Sequence, residues 1–325
     1  MANLSEREAR NHHFVPQFYL KGFATQRSQS AQLVAFDLEK ATRFVTRPRN
    51  VAARRDYNRI DVTGVDPNIL EKELSKWEHA RDQAFRRVIS GQRIDGPNDL
   101  EQIISLLARL FLSNPAFREQ RSDFMRQATT VLMHDMVSSE ARWNGIVSRA
   151  RNDGVSLNEE TSYEEAQKAV INKEIIAETA RETLIHQELE LWPKITPLLE
   201  KRQWTLVLSN ANTGEFATCD RPAIIFWDNP ILSKTIYSPG LGCTGTTILF
   251  PLSRWLCLVG KFGEGGGRLS AVARFVASTN LRILAAASRQ IYCSSDFPIF
   301  QADGSIAPFS RSEVWLQQVA RRQSV

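Results

Sequence analysis

Two histidines stand side by side at His12 and His13, inside the run NHHFVPQFYLKGF at residues 11–23, in a chain that has only five. A neutral imidazole can take a proton from water or hold a divalent cation, so a doubled His invites an acid–base or metal reading. The acids that would complete such a centre are Asp220, which closes the run EFATCD, and Glu78, beside Trp77. With His12 or His13 as base or ligand, and Glu78 and Asp220 as metal ligands, the set suits Mg²⁺ or Mn²⁺ and hydrolysis of a phosphodiester. Each residue also has a plainer reading. Neighbours on an extended segment face opposite ways, so one histidine enters a pocket while the other packs elsewhere, with Phe14, Phe18, Tyr19 and Phe23 as an apolar anchor. Asp220, just before Arg221 and Pro222, can cap its own turn. Glu78 lies three residues before Arg81 and can pair with it on a helix surface.

A second chemistry sits in the arginines. Arg43, Arg47, Arg49, Arg54, Arg55 and Arg59 fall within seventeen positions that hold one acid, Asp56. That local surplus equals the net charge of the whole chain, +5. Arginine forks match phosphate oxygens in pairs, so the cluster points to DNA or RNA as partner. Its alternative is a hairpin edge defended by charge. The Gly-rich GEGGGR (263–268) has neither Walker nor dinucleotide spacing and reads as a turn. No esterase, zinc-protease or kinase signature is present.

These groups need a scaffold, and 325 residues with 42% apolar and 24% charged side chains can bury one. The longest apolar runs, such as AIIFW and TTILFPL, are too short to span a bilayer, and the acid-containing MANLSEREARNHH is no export signal. Cys219, Cys243, Cys257 and Cys293 show no metal-ligand spacing and read as reduced thiols, which with the absent signal places the protein in the cytoplasm. Oligomeric state is not legible.

Residues 31–60 read as a β-hairpin: LVAFDL, a turn at EKAT, and RFVT before Pro48. From Asn68 the period becomes helical, with Leu70, Leu74, Trp77, Ala84, Phe85 and Val88 on one stripe. A central helix follows, N-capped by Asp99 and stopped at Asn114-Pro115. Another runs from Ala116 to Met136, an exposed connection covers 149–165, and a long helix is expected from Tyr163 to Leu191. After Trp204 the period is two: WTLVLSN and FATCD as a hairpin, then AIIFW, TTILFPL and WLCLVGKF. A helix from Ser270 to Ser288 and a strand QIYCSS close the pattern. The class is α+β: an N-terminal hairpin and a C-terminal, mainly antiparallel sheet around a helical middle. The segments are 1–67, 68–203 and 204–325, with the last completing one compact unit with the N-terminus.

The run HHFVPQFYL resembles the hallmark of a bacterial and fungal family of unknown function, marked by His-His-x-x-Pro-x-x-Tyr-Leu. VAARRDYN, LEKELSKWE, SNPAFR, LFPLS and FATCDRPAI resemble further stretches of that family. The last matches its Thr-Ser-Asp-x-Pro element with Cys219 in place of Ser. The resemblance marks Tyr19 and Asn280 besides the histidines and Asp220, and implies no activity. The paired histidines also resemble those of His-Me-finger (HNH-type) nucleases, which implies a histidine base and one metal. The downstream Asn or His of that compact unit has only Asn50 and Asn58 as loose counterparts. Arg181 and His186 in RETLIH fit the Arg-x4-His spacing of HEPN ribonucleases.

The expectation is therefore a metal-dependent, nucleic-acid-directed phosphodiesterase, with bacterial defence as its setting. Against it stands a non-enzymatic nucleic-acid or protein binding module whose His-His segment is structural. Hydrolysis of a small phosphorylated or acyl substrate would instead require a deep pocket.

Overall fold

A computed structural model of the chain describes residues 10–28, 30–155, 162–235, 237–263 and 265–323. Most of residues 1–13 expected to lack an export signal, and 156–161 of the expected connection, lie outside them. The described chain forms two compact units, residues 1–115 with 187–325, and residues 116–186.

The first unit opens with β1 (Asn11–His13), the short helix α1 (Gln17–Leu20), and the hairpin β2 (Leu33–Asp37) and β3 (Thr42–Thr46). A 3₁₀ turn at Pro48–Asn50 leads to β4 (Ala53–Arg55), which returns antiparallel to β1. Two helices follow, α2 (Ile69–Gly91) and α3 (Pro97–Leu112). Gly96 sits at the N-cap of α3, and Asp99 lies inside its first turn, where it binds Arg87 at 2.6 Å. Asp99 is thus not the cap that the sequence suggests: Pro97 takes the first helical position, where its missing N–H costs nothing.

In the second unit α4 (Pro115–Met136) begins, and α5 (Glu140–Asn152) and α6 (Tyr163–Ile171) pack around Val137, Ala166 and Val170. The long helix expected over 163–191 is two helices. Lys173 adopts a left-handed φ of 57°, which stops α6, and α7 spans Arg181–Glu200. Pro193 and Pro197 lie inside α7 and do not end it. Each removes the N–H that the carbonyl four residues earlier would use, without breaking the helix.

The remaining elements belong to the first unit: β5 (Gln203–Leu208), β6 (Thr218–Cys219), β7 (Ile224–Trp227), β8 (Thr246–Ser253), β9 (Leu256–Lys261), β10 (Gly267–Ser270), α8 (Ala273–Ala286), β11 (Gln290–Cys293), β12 (Pro298–Phe300), β13 (Ile306–Pro308) and α9 (Glu313–Gln323). One sheet runs β10-β5-β9-β8-β7, antiparallel except for β10 beside β5. A second runs β3-β2-β11-β6. FATCD therefore does not form a hairpin with WTLVLSN; β6 leaves that sheet and pairs with β11. The Gly-rich turn leads into edge strand β10 and not directly into a helix, and Gly266 N–H donates to Thr205 Oγ1 at 2.9 Å. The architecture is α+β, as the change of period implies.

Two apolar cores flank these sheets. Leu33 and Ala35 of β2 enter the first core, and Val34 and Phe36 enter the second. The same split divides Leu256 and Leu258 from Cys257 and Val259 in β9. Strands covered on both faces read as continuous apolar runs, which is why LVAFD is buried throughout. Among the described residues no helix is long and apolar enough to cross a membrane.

Candidate functional site

The N-terminal hallmark is tied into this scaffold residue by residue. β1 holds His12 opposite Arg54 and His13 opposite Ala53. His12 is fully buried, and its Nδ1 accepts the backbone N–H of Asn58 at 2.9 Å. Asn58 Nδ2 in turn donates to Glu71 Oε2 at 2.8 Å, which stands 3.9 Å from His12 Nδ1. A nitrogen that accepts a backbone N–H has no lone pair left for abstracting a proton. Tyr19 on α1 is equally sealed: its hydroxyl donates to the Pro251 carbonyl at 2.7 Å and lies 2.9 Å from Thr218 Oγ1. Its ring stacks on Phe250 with centroids 5.4 Å apart. Burial raises the phenol well above its ordinary range.

Thr218 belongs to the TCDRP element, so two stretches 199 positions apart in sequence meet through one hydrogen bond. The next acid, Asp220, turns the other way. Its carboxylate accepts N–H bonds from Ser288 at 2.8 Å, Arg289 at 2.7 Å and Gln290 at 3.1 Å, and its carbonyl accepts from Asn114 Nδ2 at 2.9 Å. Only 7% of Asp220 is exposed. Burial pushes its carboxyl above the usual carboxylate range, partly offset by those three N–H bonds. Cys219 is buried beside it, and the same desolvation drives its thiol up. Asn280 on α8 completes the pattern, accepting from Ala217 N at 2.9 Å and donating to the carbonyls of Glu215 at 2.9 Å and Pro298 at 3.0 Å.

Glu78 does not pair with Arg81. Arg81 lies over the Trp77 ring at 4.3 Å and donates to the Trp77 carbonyl, while the charges acting on Glu78 are Arg109, which pulls its carboxyl down, and Glu71, which pushes it up. Burial pushes the Glu78 carboxyl up to about 7 against that pull. Among the described residues no group of three His, Cys, Asp or Glu side chains is placed to hold a metal ion. The expected ligand set of His12 or His13 with Glu78 and Asp220 is therefore not assembled. His12 Nδ1 and the Asp220 carboxylate each accept backbone N–H groups instead.

His13 differs from its neighbour. It is half-buried, and its Nε2 is enclosed with no hydrogen-bond partner. Burial lowers its pKa, while the Arg49 and Pro48 carbonyls and the Glu71 charge pull it back. At neutral pH the imidazole is therefore uncharged, packed behind the Pro48–Arg49 backbone.

That backbone forms a wall of a cleft of about 500 Å³ lined by Gln17, Lys21, Ser30, Arg47, Pro48 and Arg49. Three cations face one concavity and no carboxylate lines it. None of the ion pairs among the described residues involves Lys21, Arg47 or Arg49. The other expected phosphate contacts are engaged within the fold. Arg43 donates to the Ser295 carbonyl at 2.9 Å, Arg55 faces Asp56 at 3.6 Å, Arg59 grips Asp61 at 2.6 Å, and Arg54 has an intramolecular partner. Gln17 and Lys21 went unmarked in the sequence. Their spacing of four brackets the helical Phe18-Tyr19-Leu20, so one turn of helix aligns them, and that signal was present. In the second unit, Arg181 and His186 both lie on α7, and Arg181 contacts Glu182 at 3.3 Å.

Residues 11–297 match the model of a family described as "Protein of unknown function (DUF4238)". No curated protein and no solved structure matches the chain.

Proposed function

We propose, from the premise that the chain belongs to the DUF4238 family of proteins of unknown function, that it binds phosphate groups of nucleic acid at the cleft of Lys21, Arg47 and Arg49. The His-His segment then serves as the structural floor of that cleft. The observation that carries this reading is three cations lining one open concavity with no carboxylate partner among the described residues. Unpaired cations repel one another, so gathering them without acids costs stability that an anion restores on binding. His12, Tyr19, Asp220 and Asn280 hold the scaffold and take no part in contact.

A second reading keeps chemistry at His13. Its neutral imidazole packs against the Pro48–Arg49 backbone that lines the cleft, and would have to uncover its enclosed Nε2 to act as general base on a bound phosphodiester. Incubating the protein with single- and double-stranded DNA and RNA, with and without Mg²⁺ or Mn²⁺, separates the two. Binding without strand cleavage supports the module. Cleavage that disappears in His13→Gln while binding persists supports the second reading, and a failure to bind any nucleic acid removes both.

A further inference from the structure

The cleft also has a size and a charge layout, and these bear on which phosphate it takes. We propose that it receives a terminal phosphate, the phosphate monoester of a nucleotide or of a strand end, and not the diester backbone of a passing strand. This rests on the phosphate-binding reading above and narrows it.

A protein that follows a nucleic-acid backbone needs cations along a track, because single strands carry one charge every few ångströms. Among the described residues the arginines outside the cleft already hold partners in the fold: Arg43 the Ser295 carbonyl, Arg55 Asp56 and Arg59 Asp61, surface contacts that compete with a strand for the same guanidinium groups. Arg43 is further held against the Phe36 ring, 5.7 Å from its centroid. What remains is one point of concentrated charge, walled by α1 on one side and residues 47–49 on the other.

The volume of about 500 Å³ falls in the range of pockets that enclose small molecules. The donor set fits the same ligand. Two guanidinium forks can each engage two oxygens, the Lys21 ammonium supplies a compact third charge, and Gln17 and Ser30 add neutral donors. A diester presents two free oxygens and one charge. A terminal phosphate presents three oxygens and a charge of about −1.5 to −2 near neutral pH, so it uses more of what the cleft offers.

The test uses the full chain and three probes: ATP, an RNA of about ten nucleotides phosphorylated at both ends, and the same RNA with hydroxyls at both ends. Fluorescence anisotropy of the labelled RNAs, with ATP as competitor, reads the affinities. The phosphorylated RNA is expected to bind about tenfold more tightly than the hydroxyl form. Arg47→Gln with Arg49→Gln is expected to erase that difference without lowering the melting temperature, and Lys21→Gln serves as a second variant. Competition by ATP with no preference between the RNAs identifies the free nucleotide as source. A preference between the RNAs without ATP competition identifies the strand end. Equal binding of both RNAs with no effect of ATP overturns the terminal-phosphate proposal and leaves the broader reading standing. No binding of any probe by the wild-type chain overturns both.

Discussion

Replacing Asp220 with alanine separates a staple from a catalyst. The carboxylate accepts three backbone N–H groups in residues 288–290, at 2.7 to 3.1 Å. Alanine leaves all three unpaired in a site where the native residue is 7% exposed. A buried donor without a partner costs about 1–3 kcal/mol, so independent losses would reach roughly 3–9 kcal/mol. The three donors share one turn and relax together, and the variant no longer pays for burying a carboxylate, which offsets part of the loss. The expected destabilisation is about 3–5 kcal/mol by urea unfolding, at the severe end for a single substitution. Asp220→Asn keeps one acceptor oxygen and should lose about half as much. Binding of nucleic acid per folded molecule should be unchanged in both. An alanine variant within about 1 kcal/mol of wild type that has lost binding or cleavage would refute the reasoning, because the carboxylate would then act on a ligand.

Three further outcomes follow from the same geometry. His13 titrates below its ordinary 6.5 because burial disfavours the imidazolium, so its contribution to stability holds above that value and is lost as pH falls through the lowered one. An NMR titration of the imidazole C–H resonances reads this, and a midpoint at or above 6.5 contradicts it. Glu78 is shifted upward to about 7, so its contribution is complete below the ordinary 4.5 and fades as pH rises through 7. Glu78→Gln should therefore gain about 1–2 kcal/mol relative to wild type between about pH 5 and pH 8, a figure reduced for its partial exposure; a pH-independent difference in urea unfolding would exclude the shift. Tyr19→Phe keeps the stack on Phe250 but strands the Pro251 carbonyl and Thr218 hydroxyl, for a loss of about 1–3 kcal/mol in urea unfolding. A variant as stable as wild type would mean that hydroxyl ties nothing together.

Much of the scaffold was legible because it is local. The β2–β3 hairpin, the apolar stripe of α2 and the period-two strands after Trp204 each follow from the spacing of side chains along a few turns or pleats. What the sequence hid is partner choice. Nothing in FATCD says that β6 leaves WTLVLSN for β11, since that pairing joins residues some seventy positions apart. The expected helix ended at Leu191, just before Pro193, yet α7 runs through Pro193 and Pro197, because a helix supported elsewhere can lose two hydrogen bonds. The hallmark residues were legible as a set but not in their role. His12 and Asp220 carry catalytic side-chain types, and only the fold shows His12 Nδ1 accepting from Asn58 and the Asp220 carboxylate accepting from residues 288–290. The cleft was half visible: Arg47 and Arg49 stand in the arginine cluster, while Lys21 and Gln17 lie among the aromatic residues of the hallmark, where no run of charge marks them.

The most direct test of the account is the dependence of single-stranded RNA binding on salt. Counted as one phosphate charge neutralised per cation, Lys21, Arg47 and Arg49 predict a slope of log K against log salt no steeper than about −2, roughly a twentyfold loss between about 50 and 200 mM, whether those charges lie on one terminal phosphate or on its neighbours. Removing Arg47 and Arg49 together should flatten the slope to about −0.7 with the fold intact. A slope that stays near −2 in the double variant would place the phosphate contacts elsewhere and contradict the cleft as the binding site.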